Sequence, residues 1–149
     1  MGQEKLGSSG KFYRNTGTFA TPTWTEIPTV RDLTRNLEAG EADASSRGSR
    51  VKLSLAALLE ISVEADLIYD PANAAYDALL AAAIANPPTT IEFADADGAI
   101  ATTGTRYMRF HGQVFNLGLG EPLEDAMTNT FMTRPVPNAN ANPTFVTVP

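Results

Sequence analysis

Every odd position from Val51 to Tyr69 is apolar: Val51, Leu53, Leu55, Ala57, Leu59, Ile61, Val63, Ala65, Leu67 and Tyr69. From Glu60 the intervening positions read Glu60, Ser62, Glu64 and Asp66 before Ile68 interrupts. A period of two sends successive side chains to opposite sides of an extended chain, one side to a core and the other to water. Ile61, Val63 and Leu67 are therefore predicted to point inward, and Glu60, Glu64 and Asp66 to lie on the solvated face. Strands mostly run about 3–10 residues. A bend is expected at Ala56-Ala57-Leu58, where the outer face loses its polarity.

The remaining elements are read around that strand. Residues 11–14, 18–20 and 24–30 are short extended pieces, with Pro22 and Pro28 confining the last to an edge or an irregular path. Asp70-Pro71 reads as N-cap and first position of a helix running to about Asn86. Its stripe is Tyr76, Leu80 and Ile84 beside Leu79 and Ala83, and Pro87-Pro88 stops it. Strands over 90–94 and from Ala99 flank Asp95-Ala96-Asp97-Gly98, a hairpin turn signal. Residues 106–119 are extended, and the apolar parity switches at Val114-Phe115, as one inserted bulge residue would produce. A last strand is expected over 127–134, and the Pro/Asn-rich tail over 135–149 reads as irregular. The predicted fold is mainly β: a β-sandwich or partly open barrel with one flanking helix, about 71–86. Residues 1–149 read as one domain, opened by a flexible Gly/Ser-rich arm over 1–10.

Chemistry is narrowed by what the chain lacks. Cysteine is absent, which removes disulfides, thiolate metal sites and thiol nucleophiles. His111 is the single histidine, so paired-histidine metal motifs are excluded, and its place beside Arg109 and Gln113 reads as structural. Asp95-Ala96-Asp97-Gly98 starts like a calcium loop, but no acidic ligands or closing Glu follow. On one strand face Glu60 and Glu64 sit about 13 Å apart, and Glu64 and Asp66 about 7 Å, with nothing adjacent to perturb them as an acid/base pair. Gly7-Ser8-Ser9-Gly10 lacks the Lys-Ser/Thr of a phosphate loop. No enzyme, metal or cofactor is expected. The 11 basic and 17 acidic residues, formally −6, argue against a grip on nucleic acid. No apolar run approaches the roughly 18 residues of a membrane span, and no signal peptide is visible, so assembly in the cytosol is expected.

Residues 31–50 stand apart. They carry Arg31, Asp32, Arg35, Glu41, Asp43, Arg47 and Arg50 with few apolar side chains, and read as a long polar loop. Acids alternating with arginines suit charge-assisted pairing, so the loop is expected to order against another copy of the same fold.

The order of features resembles the major tail tube proteins of long-tailed bacteriophages. The matching stretches are Gly10-Lys11-Phe12-Tyr13-Arg14-Asn15-Thr16-Gly17, Pro22-Thr23-Trp24-Thr25-Glu26-Ile27, Val30-Arg31-Asp32-Leu33-Thr34 and Glu41-Ala42-Asp43-Ala44-Ser45-Ser46-Arg47. Ile61-Ser62-Val63-Glu64, Asp70-Pro71 before an Ala-rich helix, and Glu121-Pro122-Leu123-Glu124-Asp125 complete the pattern. After Arg47 the family often carries an aromatic, where this chain reads Gly48-Ser49-Arg50-Val51. The resemblance implies a non-catalytic virion protein that assembles, in the host cytoplasm, into stacked hexameric rings. Those rings form a tube for DNA ejection, partnered by itself and by tail proteins at the tube ends. DNA would pass the lumen without specific binding, and Glu60, Glu64 and Asp66 are the lumen-facing candidates. The alternatives are the inner tube of a contractile tail or secretion system, and a small ligand-binding β-barrel. A barrel of that kind would show an inward aromatic cluster with a few convergent polar groups.

Overall fold

The computed structural model describes residues 6–7, 10–28, 30–48, 50–137 and 143–149. In chain order the elements are β1 (Lys11–Asn15), β2 (Trp24–Glu26), β3 (Val30–Asp43), β4 (Ser54–Ile68) and α1 (Ala74–Ile84). They continue as β5 (Ile91–Ala96), β6 (Arg106–Gly120), β7 (Thr128–Pro135) and β8 (Thr144–Thr147). The strands form one antiparallel sheet in the order β2-β1-β5-β6-β7-β4-β3, with β8 added on β6. The sheet is open, mainly β with one helix as expected, and it is folded over on itself. Phe12 of β1 and Phe131 of β7 are not on neighbouring strands, yet their rings lie 6.0 Å apart.

The fold-over happens along β6. Its first half pairs with β5 and β8, its second half with β7, and Gly112 pairs with both Ile91 and Pro135. A Cβ on Gly112 would sit 2.4 Å from Thr133 Oγ1 and 3.0 Å from the Arg134 carbonyl, so the crossing needs a residue without one. The register slips between Val114 and Asn116, the bulge that the parity switch predicts. The bend expected at Ala56-Ala57-Leu58 is also present. Ala39 pairs with Leu59 and Glu41 with Ala56, so two β4 residues face one β3 residue there. β4 nonetheless continues through it as one strand.

The predicted inward residues Ile61, Val63 and Leu67 are all buried. They join Phe12, Phe93, Phe110 and Phe131, with Leu79 and Ala75 of α1, in one core. Aromatics scattered through the sequence thus converge. Phe93 is stacked on Phe12 at 5.2 Å, tilted against Phe110 at 5.8 Å and edge-on to Phe131 at 5.7 Å. The rings fill the interior against one another.

Five expectations are corrected. Residues 31–43 of the supposed loop lie in strand β3, because all of them but Arg31 and Gly40, which fall at the two register shifts, have a backbone ladder partner on β4. The helix starts at Ala74, not Pro71. Asp70 Oδ1 accepts the Ala72 N–H in a local turn, and Asn73 caps the helix by accepting from Ala75 N at 3.0 Å. The helix buries Ala75, Leu79 and Ala82 instead of the Tyr76-Leu80-Ile84 stripe, and Ile84 is 76% exposed. Apart from Asp77 the helix is apolar, so the face carrying Ala75, Leu79 and Ala82 can dock and leave Leu80 and Ile84 outside. Within the tail, residues 144–147 form β8, and β5 reaches Ala96, so the β5–β6 connection runs over 97–105 with Gly104 at φ +87°. The arm over 1–10 falls largely outside the described residues.

Candidate assembly surface

Register assigns the faces of the β3–β4 ribbon, because directly opposed residues share a side. Leu33, Arg35 and Leu37 oppose Ala65, Val63 and Ile61 on the core side. The outer side pairs Asp32 with Asp66, Thr34 with Glu64, Asn36 with Ser62 and Glu38 with Glu60. Five carboxylates therefore share one face, and two pairs sit directly across from each other. Like charges opposed at about 5 Å destabilise a sheet, by under about 1 kcal/mol per pair in water. No described residue forms an ion pair with any of the five. Glu60, Glu64 and Asp66 are thus brought together on a solvent-facing surface, and the structure adds Asp32 and Glu38. The addition was hidden in sequence because β3 had been read as a loop.

Beyond β7 the ribbon stands alone. β7 pairs with β4 only from Val63 to Ile68, so Ser54 to Ser62 and the matching end of β3 form a two-stranded arm. Leu37, Leu53, Leu55, Leu58 and Leu59 on it are exposed, Leu58 at 87%. Contiguous exposed apolar surface of this kind marks an interaction site. The expected interface residues divide accordingly. Arg31, Asp32, Arg35, Glu41 and Asp43 lie on β3, while Arg47 and Arg50 lie in the tip that joins it to β4. Of these, among the described residues, only Arg35 is ion-paired, and its partner is Asp95 of β5 in the same chain. The Ser45 N–H donates to Asp43 Oδ1 at 2.8 Å, and the Ser45 contacts hold the Asp43 carboxyl below its ordinary pKa.

The Arg35 pair spans the fold-over. Phe12, Asp95, Met108 and Phe145 form one inward-facing row across β1, β5, β6 and β8. Arg35 reaches from β3 to Asp95 Oδ2 at 3.4 Å, and its guanidinium lies 5.6 Å over the Phe145 ring. The pair sits in an open groove of about 1050 Å³ between the free edge of β3 and β8, with Val30, Leu33 and Tyr107 also on its wall. Burial raises the Asp95 carboxyl above its ordinary pKa, Arg35 opposes the shift, and Asp97 adds to it. A carboxyl raised on folding holds its proton more tightly in the folded state, so its contribution to stability is largest below its unfolded value and is lost as pH rises through the folded one. Denaturant melts across pH should therefore show wild type gaining on Asp95→Asn as pH falls from 7 toward 4. Parallel pH curves would remove Asp95 from this role.

A second polar cluster lies on the other side of that sheet, and sequence reading missed it. The buried Glu92 carboxylate accepts from Arg109 Nε and from Asn15 Nδ2, with His111 Nε2 at 3.7 Å. Arg109 also donates to the Phe19 carbonyl and stacks 4.2 Å from the Phe19 ring and 5.3 Å from Trp24. This ties the 16–23 connection to β5 and β6, and the His111 ring lies 5.8 Å from that of Phe19. Among the described residues no group of three His, Cys, Asp or Glu can hold a metal, and no helix is long and apolar enough to cross a membrane. The Asp95-Ala96-Asp97-Gly98 stretch closes a hairpin instead, Asp97 Oδ1 accepting the Arg106 N–H at 2.9 Å.

An open sheet folded over a phenylalanine core, one flanking helix and a long protruding hairpin define the class of fold, and solved structures share it. A chain in the tail of an empty gene transfer agent particle with C6 symmetry matches with TM-score 0.68 and 11% identity, covering 91% of this chain and 96% of that one. The SPP1 tail tube protein matches with TM-score 0.71 and 12% identity, over 88% of this chain and 75% of that one. A chain of the anti-feeding prophage baseplate matches with TM-score 0.63 and 13% identity, over 99% of both. No family model and no curated protein matches the sequence. The chain has the tail-tube fold.

Proposed function

We propose that this protein is the structural subunit of a phage tail tube, assembling into stacked hexameric rings in the virion tail. The observation that carries the reading is the match, over about nine-tenths of the chain, to subunits of assembled tails, one of them with C6 symmetry. The molecule's own surface supports it. β3 is a long edge strand with its outer backbone groups unpaired, a hazard in a monomer and an asset where a neighbour completes the sheet. The face carrying Asp32, Glu38, Glu60, Glu64 and Asp66 then lines the lumen, where unpaired carboxylates repel phosphate and let DNA leave without sticking. Assembly takes place in the host cytoplasm, with other tail proteins closing the tube ends. The baseplate match favours a second reading, the inner tube of a contractile tail or secretion system.

Electron microscopy of the purified protein tests the proposal. Rings or hollow tubes with Glu60, Glu64 and Asp66 on the inner wall are the expected result. A persistent monomer defeats the assembly reading, and acids on the outer wall defeat the lumen assignment alone.

A further inference from the structure

The β3–β4 ribbon ends in opposite charges at its two poles. At one end the tip over 44–53 contains Arg47, Arg50 and Lys52 and no acid, and presents Leu53 and Val51, about half and two-thirds exposed. Its nearest acids are Glu41 and Asp43 on β3, and Asp43 is turned onto Ser45. At the other end Gly120, Thr128 and Ile68 come together in register, which places the β6–β7 connection over 121–127 at that pole. This connection contains Glu121, Glu124 and Asp125 and no base, with Leu123 98% exposed among them. Arg31, at the start of β3, lies toward the same pole. The 15 residues of β4 separate the two poles by about 45 Å along the strand direction.

We infer that the basic tip of one copy docks on the Glu121–Asp125 connection of the copy stacked on it, with Leu53 against Leu123. This rests on the tube reading above and names the contact between successive rings. Each pole joins charge of one sign to an exposed leucine, and the two are complementary in both respects. Because the patches differ and lie at opposite ends, the contact is head-to-tail and propagates rather than closing as a two-fold dimer. A single exposed ion pair contributes little, but every subunit of a ring makes the contact at once, so weak pairs act together.

Charge reversal and its rescue test this. The forms compared are wild type, a tip variant (Arg47→Glu, Arg50→Glu, Lys52→Glu), a connection variant (Glu121→Lys, Glu124→Lys, Asp125→Lys) and the two combined. Far-UV circular dichroism and thermal melts establish that each is folded, and sedimentation with negative-stain microscopy reads the protein concentration at which tubes form. Each single reversal is expected to raise that concentration about tenfold or more while rings persist. The combined variant, complementary again with signs exchanged, is expected to return close to wild type. Unchanged thresholds in the single variants overturn the inference. So does loss of tubes in the tip variant alone, which would place the tip on another surface such as the Glu60–Glu64 face. Wild type that forms no ring or tube defeats the underlying tube reading instead, a result visible before any variant is compared.

Discussion

Replacing Phe93 with Ala is expected to remove about 3–5 kcal/mol of stability. Its side chain is fully buried, stacked on Phe12 and touching Phe110 and Phe131, so it bridges both halves of the folded-over sheet. Truncation forfeits the burial of the ring and leaves a cavity among three others that have little room to collapse into it. Leu67→Ala, on the buried side of β4, should cost about 2–5 kcal/mol by the same two terms. Leu58→Ala, on the exposed arm, should change the monomer by less than about 0.5 kcal/mol. Denaturant melts of the three variants at conditions where the chain is monomeric separate these values. A loss below about 1 kcal/mol at Phe93 would mean that the two halves do not share one core. Domain stabilities are only about 5–15 kcal/mol, so the Phe93 variant is also expected to express poorly at elevated temperature.

The strand that anchors this core was legible because its surroundings are constant along Ile61 to Leu67: core on one side, water on the other. The bulge at Val114-Phe115 was legible for the same reason, as a slip in an otherwise regular alternation. β3 was not. Its core-side row runs Leu33, Arg35, Leu37 and Ala39, and Arg35 breaks the apolar period because its role is to reach Asp95 across the fold-over. Farther out, both faces of β3 meet solvent, and residues 38–43 carry no apolar alternation. What holds that segment extended is the backbone ladder to β4, a non-local partner that propensity and periodicity do not record. The Glu92 cluster was hidden similarly. Arg109 and His111 are visible as neighbours in sequence, but Glu92 joins them only once the β5–β6 register sets it opposite His111. The helix was found and its start misplaced, since Asp70 and Asn73 are both competent caps and only the folded chain shows which one is used.

Removing the arm is expected to abolish assembly while leaving the monomer folded. Ala39 and Leu59 are register partners, so replacing residues 40–58 with a two-residue Asn-Gly turn joins them in a tight hairpin without disturbing the ladder below. Everything deleted lies beyond the reach of β7, and none of the buried core residues is among it. The expectation that this region is disordered until a partner orders it does not survive, because most of it is already a strand paired within the subunit. In the proposed assembly the arm would be a preformed surface, which would spare the contact an ordering cost of roughly 1–2 kcal/mol per residue. Of Arg31, Asp32, Arg35, Glu41, Asp43, Arg47 and Arg50, the residues expected to pair with another copy, Arg35 already has a partner in its own chain. Arg35 is committed inside the chain, and the arm offers Leu53, Leu55, Leu58 and Leu59 beside the charges of its tip. Size-exclusion chromatography and light scattering should find the shortened chain monomeric at concentrations where wild type forms rings or tubes, with a thermal midpoint close to that of the full-length monomer. Persistence of full-length tubes without the arm would show that the free edge of β3 and the acidic face suffice for assembly, and the arm would then need another explanation for its exposed leucines.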